Sequence, residues 1–315
     1  MQRYLASRVL ALVPVLFGIL AVVFLLIRLI PGDAVQLFLG TQVEMTPAQM
    51  IELRRFFGVD KPIPVQFADY LARIFRGDFG VSLRTARPVL PDILTRLPLS
   101  FQLASLALAI AVLIAIPLGI VSAVARNSTY DVVARITGLL GLSIPNFWLG
   151  AMLILVFSRF LHVPLGQYVP LSQNPLLTLR SLSLPALALG VAIAAILMRH
   201  TRSSLLEVLG QEYIRTARGK GLRARVVMLR HALPNAMIPV ITVLGFQMGY
   251  LLGGTVVIEE IFALPGMGRL VLQAIFQRDY PVVQGVVLVI ALLFVVTNLI
   301  VDVLYAWIDP RIRYG

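Results

Sequence analysis

Four stretches of the chain, 101–124, 136–157, 182–198 and 236–258, contain no charged residue, and a fifth, 282–305, contains only Asp302 near one end. A helix rises about 1.5 Å per residue, so such stretches approach or exceed the length that crosses about 30 Å of hydrocarbon. A sixth apolar run, 9–30, follows basic Arg3 and Arg8 as a secretion signal would. It is longer than the roughly 7–15 residues of a signal core, so it reads as a retained first span. Its one charge, Arg28, lies near the outer end, where a long side chain reaches the headgroups. With 59% hydrophobic and 13% charged residues, against about a quarter charged in soluble domains, the chain cannot coat a water-soluble surface. The expectation is an all-α membrane protein of about six transmembrane helices. The fourth run, which contains Pro185, has the least definite edges.

The net charge of +12 takes its meaning from location. Basic residues in short loops mark the cytoplasmic side. One side collects Arg3, Arg8, Arg126, the basic residues of 199–230, Arg311 and Arg313; the other has Arg159, Arg180, Arg269 and Arg278. The first side, with both termini, is therefore read as cytoplasmic in a multi-pass inner-membrane protein, and nucleic acid is not a partner. The organisation expected is 1–30 as N-terminal segment and first span, 31–98 as an extracytoplasmic segment, 99–305 as a five-helix domain with a cytoplasmic loop at 199–235, and 306–315 as a cytoplasmic tail. Segment 31–98 is polar; Thr46 and Pro47 read as a helix start and Gly58 as its stop, with Ile51, Phe56 and Phe57 on the helix between.

Several chemistries are excluded or left without support. The chain has no cysteine, hence no disulfide, thiol catalysis or thiolate metal site. His162 lies on the predicted outer side, and His200 and His231 on the inner side, so the three cannot form one metal site. The only Gly-Lys pair, Gly219 and Lys220, is followed by Gly221, which supplies no hydroxyl for magnesium, so there is no phosphate-cradling loop. Ion-driven pumps bind their ions through ionisable or coordinating groups at membrane depth; the central parts of these spans offer none. No catalytic, cofactor or metal residues are expected, and energy for active transport must enter through another subunit.

Within the fifth span, Gly245, Gly249 and Gly253 recur every four residues beside Gly254. Such a row either packs another helix closely or forms a movable face along a solute path. Pro117, Pro145 and Pro239 are expected to bend their helices. Asn146, Gln247, Gln284 and Asn298 serve either interhelical hydrogen bonding or a polar lining. Asn146, Gln247 and the three glycines are the candidate pathway residues.

Loop 199–235 is the most informative segment. Leu206, Leu209, Tyr213 and Ala217 recur at helical spacing and are expected on one face, with Glu207, Gln211, Arg215 and Arg218 on others. Gly219 and Gly221 should end that helix, and a second short helix should run through Val226 and Leu229 until Pro234 stops it before the fifth span. By itself such a basic loop is either an orienting loop or a rigid lever.

Ala217, Gly221, Leu233 and Pro234 resemble, at matching spacing, the alanine, glycine and leucine-proline positions of the loop that defines permease subunits of ABC importers. Arg215, Thr216 and His231 depart from the general pattern but resemble the dipeptide, oligopeptide and nickel branch. So do Tyr213, Arg218, Lys220, Ala232, Asn235, Ala236 and Pro239, while Gly219 replaces a common alanine. The likeness continues through Pro31, Gly32 and Asp33, Asp60 to Pro62 with Gln66, Gly77 to Gly80 with Ser82, Glu259, Phe262, Pro265, Gly266, Gly268, Arg269, Arg278 to Pro281, and the tail residues Asp309, Pro310, Arg311 and Tyr314.

The resemblance implies the type I importer transmembrane fold and a loop that forms a coupling helix docked on a cytoplasmic ATPase. Leu209, Glu212, Tyr213, Arg215, Thr216, Ala217, Arg218, Lys220, Gly221, His231 and Pro234 are the coupling residues it implies. It further implies a second homologous permease in a heterodimer, two ATPase subunits that bind ATP and magnesium, an extracytoplasmic solute-binding protein, and import of peptides or glutathione-like solutes by alternating access. A passive channel without an ATPase partner is the alternative reading.

Overall fold

The structure is a computed structural model that describes residues 2–28, 60–160 and 168–308. The helix expected between Thr46 and Gly58, the Pro31–Asp33 motif, His162 and the tail residues from Asp309 onward lie outside the described residues. Among the described residues the fold is all-α and divides into two compact units, one of 99–160, 168–265 and 294–308, the other of 2–28, 60–98 and 266–293.

In the second of these units, α1 (Gln2–Arg28) packs beside α2 (Ile63–Phe75). The contact is aromatic: Phe67 meets Phe17 edge-on at 5.5 Å and Phe24 at 5.0 Å, over buried Leu20 and Tyr70. On the exposed side of α2, Lys61 Nζ stands 2.6 Å from Asp69. The hydrogen bond and the charge of Lys61 hold the Asp69 carboxyl below its ordinary value, but a solvated pair contributes little stability. Beyond Gly77 and Gly80, both with positive φ, the Ser82 hydroxyl donates to Asp279 at 2.5 Å and the Leu83 amide at 3.1 Å. Gln284 donates to the Val23 carbonyl at 3.1 Å, so this amide is used in interhelical bonding.

The larger unit is organised around α6. In chain order it contains most of α3 (Val89–Val124), then α4 (Thr129–Ser143), α5 (Asn146–Arg159), α6 (Pro175–Leu209), α7 (Glu212–Gly219), α8 (Ala224–Val226), a π-helical turn (Val227–Ala232), α9 (Leu233–Gly254) and α10 (Val256–Ile261). α11 (Met267–Phe276) and the start of α12 (Tyr280–Ile308) belong to the other unit. Within the most apolar window of α6, 67% is buried, against 33% for α3, and α4, α5 and α9 all pack on it.

Close approach to α6 depends on glycine. A Cβ at Gly190 would lie 2.8 Å from the Ala107 carbonyl oxygen of α3, and one at Gly119 2.7 Å from Thr201 Cβ. Near the end of α9, Glu259 is fully buried in α10 and accepts from the Ser100 hydroxyl at 2.7 Å and the Thr255 hydroxyl at 2.8 Å.

Among the described residues, four helices are long and apolar enough to cross a membrane: Val89–Val124, Pro175–Leu209, Ala224–Gly254 and Tyr280–Val301. A fifth span results if α4 and α5 count as one. The first apolar run is helical, but its described apolar part, Leu10–Leu25, is shorter than a span. The expected span 136–157 bends at Pro145, as expected there, but far enough to form two helices at 98°. Pro145 has no amide to continue the ladder and drives Ile144 to extended backbone, φ −82° and ψ 121°. In contrast, helix continues through Pro117, Pro185 and Pro239.

The expected stop at Pro234 is also corrected. Pro234 lacks an amide, and the π-helical turn just before it (Val227–Ala232), whose bonds reach one residue farther back, leads the chain into α9 without a break. The helical path is therefore continuous over Ala224–Gly254.

Gly190→Ala should lower the thermal midpoint of the purified protein, with an overpacking cost of about 1–3 kcal/mol. Gly18→Ala, whose new methyl would meet nothing within 4 Å, should not; equal midpoints for the two variants would refute the close α3–α6 crossing.

Candidate functional site

α6 ends where Gly210 and Gln211 turn the chain: their amides bond back to the Glu207 and Val208 carbonyls, each at 3.1 Å. Gln211 is extended, and α7 starts afresh at Glu212. The end of α7 is a Schellman motif. Gly221, φ +76°, donates to the Arg218 carbonyl at 2.9 Å, and Leu222 to that of Ala217 at 3.4 Å. A side chain at 221 would be strained in this left-handed conformation, which accounts for the glycine.

This interruption changes which face of the segment is buried. Continuing the helical phase through Leu206 and Leu209 puts Tyr213 inside, but the turn at Gly210 resets the phase. Tyr213 is 43% exposed, whereas Ile214 is fully buried and Ala217 nearly so. Ile214 and Ala217 pack in one apolar cluster with Ala123 of α3, Leu205 of α6, Val227 and Ala232 of the π-helical turn, and Ala236 of α9. Leu206 and Leu209 are partly buried against the same cluster. α7 is thus a short helix mounted on an apolar cluster shared by α3, α6, the π-helical turn and α9, with Ile214 as its largest buried side chain. The Ser204 hydroxyl, donating to the Ala236 carbonyl at 2.8 Å, further ties α6 to α9.

The opposite face is polar. Glu212, Tyr213, Arg215, Thr216, Arg218 and Lys220 are exposed, as is Gly221. Arg215 Nη1 lies 2.7 Å from Glu212 Oε1, an exposed pair one turn apart, which holds the guanidinium in place with little net stabilisation. His231 is half-buried within the π-helical turn and its carbonyl accepts from the Asn235 amide at 2.7 Å. Pro234 is exposed at the start of α9. Of the expected coupling residues, then, most share one exposed patch, Ala217 lies beneath it, Leu209 precedes it in the chain, and His231 and Pro234 lie farther on, in the π-helical turn and the first turn of α9. Ile214 was not among them; its signal is that EYIRTARG contains one aliphatic side chain larger than alanine.

The candidate pathway residues do not form one surface. Cβ atoms at Gly245 and Gly249 would collide with Val301 and Phe294 of α12, the latter at 2.6 Å, so both glycines admit α12 closely. Gly253 is exposed, and Gln247 and Asn146 are half-buried, Asn146 as the first residue after the α4–α5 break. Among the described residues, no three His, Asp or Glu side chains are grouped to hold a metal ion.

Residues 115–314 match the family described as binding-protein-dependent transport system inner membrane component, and residues 1–104 match the N-terminal region described for such membrane components. The chain is 42% identical over 314 residues to the glutathione transport system permease protein GsiC of Pectobacterium atrosepticum, with both chains fully covered. It is 43% identical over 315 residues, again covering both, to a putative peptide transport system permease protein of Brucella abortus. Among solved structures, the inward-facing MetNI methionine ABC transporter aligns with a TM-score of 0.57 at 17% identity, over 70% of this chain and 98% of the other. That likeness concerns the fold.

Ile214→Ala should remove about 2–5 kcal/mol of core stabilisation and raise amide hydrogen exchange across 211–221. Tyr213→Ala should leave exchange there unchanged. Protection lost equally in both would contradict the anchoring of α7 through Ile214.

Proposed function

The chain belongs to the family of binding-protein-dependent transport system inner membrane components and is a transmembrane permease component of a peptide- or glutathione-type ABC importer; on that premise we propose that α7 is its docking helix for a cytoplasmic ATPase. The permease itself is non-catalytic. One observation carries the proposal: a short, tightly mounted helix buries Ile214 and Ala217 while presenting Tyr213, Arg215, Arg218 and Lys220 outward. A stiff mount passes force, and an aromatic among cations suits a cleft lined with acidic groups. Leu209, Glu212, Thr216, Gly221, His231 and Pro234 complete this element by shaping or bordering it.

The assembly we infer contains a second homologous permease, two ATPase subunits that bind ATP and magnesium, and an extracytoplasmic binding protein. In it this chain spans the inner membrane six times with both termini cytoplasmic, segment 31–98 outside, 99–305 as the permease domain with its loop at 199–235, and 306–315 as the inner tail. ATP-driven closure of the ATPases pulls α7, and the spans swing to alternate access. Asn146, Gln247 and Gly253 are proposed to line the path, with Gly245 and Gly249 setting the approach of α12. Uncharged lining releases its cargo readily. Peptides or glutathione-like solutes are the proposed cargo, on the relatives named above.

A photo-reactive residue at Tyr213 should form an adduct with the ATPase in the assembled complex. Arg215→Glu combined with Arg218→Glu should weaken ATPase docking tenfold or more, about 1.4 kcal/mol, and lower solute-stimulated hydrolysis without affecting membrane insertion. An adduct-free complex, or unaltered stimulation in the double variant, would count against this reading. Titrating the binding protein encoded beside this subunit with reduced glutathione and with dipeptides should give measurable affinity for one class; affinity for neither would refute the cargo assignment.

A further inference from the structure

A polar knot lies in the larger unit at the end of the α4–α6 contact. The Asp131 carboxylate, on the first turn of α4, is fully buried. Arg202 of α6 donates to it twice, Nε to Oδ1 at 2.9 Å and Nη2 to Oδ2 at 3.0 Å. Ser122 of α3 donates its hydroxyl to Oδ1 at 2.6 Å, and the backbone amide of Asn127 donates to Oδ2 at 3.0 Å. Arg135, half-exposed, approaches Oδ1 to 3.4 Å. Ser128 caps α4 from its other side, accepting from the Asp131 amide at 3.4 Å. One carboxylate therefore joins α3, the 125–128 turn, α4 and α6.

Two features relate this knot to α7. Ser122 precedes Ala123 and Arg202 lies three residues before Leu205, and both Ala123 and Leu205 belong to the apolar cluster that anchors Ile214 and Ala217. Farther along the same helices the contact is apolar, with an open groove of about 100 Å³ among α3, α4 and α6 bordered by Ile114, Leu118, Gly138, Val191 and Ala195. Apolar contact carries no directional preference. A bidentate guanidinium–carboxylate pair fixes both distance and rotation, and fixing register is the best-attested use of buried polar groups.

We propose that the Asp131–Arg202 pair is the link through which displacement of α7 is handed to α4 and so to the broken α4–α5 pair, making Asp131 a positioning residue for transport. The inference rests on α7 being the element that receives ATPase movement. Displacement of α7 moves the end of α6 through the cluster that holds Leu205 and Ile214; the pair obliges α4 to follow.

The experiment uses the full complex with its partner subunits in lipid nanodiscs. The permease has no cysteine, so a spin-label pair introduced at exposed Leu139 of α4 and Gln211 before α7 is unambiguous within this chain. Electron–electron distances are read before and after trapping with ATP and vanadate. In the native background the 139–211 distance should hold within the about 1–2 Å typical of helix shifts. In Asp131→Asn, and in Arg202→Lys, which keeps the charge but loses the fork, trapping should shift or broaden it beyond that range.

A merely stabilising role would lower the thermal midpoint but leave the nucleotide-dependent distance unaltered. Unaltered distances in Arg202→Lys and in whichever other variants fold would overturn the proposal while the Tyr213 adduct is retained. Absence of that adduct would instead sink the coupling reading beneath it.

Discussion

In hydrocarbon every backbone amide and carbonyl must find its partner within the protein, so each place where a helix stops is a place where something else must satisfy the backbone. At several of the points where the described part of this permease leaves regular helix, the backbone's new partner is visible. Ser128 caps α4; the Gly210 and Gln211 amides bond back into the last turn of α6; Gly221 closes α7 with paired bonds. The π-helical turn spares the chain a break altogether, carrying Ala224–Gly254 as one path. Interruptions on the side read as cytoplasmic thereby acquire defined geometry rather than slack, which a force-bearing segment requires.

The same accounting separates one proline from the others. Pro117, Pro185 and Pro239 each remove one amide inside an apolar helix, and the helix persists. At Pro145 it does not, and α5 resumes with Asn146 after a 98° bend. Around α5, Gly150 lets Phe262 and Ile258 approach to 3.1 and 3.3 Å from a would-be Cβ, so the second arm of the bent pair is held by α10. Pro145 is also the one of the four followed by a polar residue, Asn146, where Leu118, Ala186 and Val240 follow the others.

A division between local and tertiary determinants runs through everything that was legible beforehand. The long helices could be read because charge exclusion is a property of each stretch alone, and the end of α7 because Gly221 is demanded by its own φ. The buried face of α7 could not be read by extending the periodicity of α6, since the turn at Gly210 rotates the register and replaces Tyr213 with Ile214 as the inward residue. Nor could the pairing of Asp131 with Arg202, 71 residues apart, be found from spacing. A lone aspartate near a basic loop looks like an ordinary interfacial charge until three helices converge on it. Gly245 and Gly249 were visible as a small-residue row, but that the row meets Phe294 and Val301, and leaves Gly253 outside it, depends on where α12 lies.

Apolar and polar fastening therefore have different consequences in the larger unit. Glycine contacts such as Gly190 on Ala107 set how near two helices come, yet a backbone groove alone resists sliding weakly. Hydrogen bonds from a guanidinium fork and a serine hydroxyl resist both sliding and rotation, because each donor must keep its distance and direction to the same two oxygens. Both kinds meet near the α6 end that carries α7: Gly119 approaches Thr201 beside the Asp131–Arg202 pair, and Gly138 and Gly141, farther along α4, approach Met198 and Val191. A helix gripped at one end by directed hydrogen bonds and closely seated along its length follows its neighbour as one body. Movement received at α7 therefore reaches the bend at Pro145 with the α4–α6 register kept.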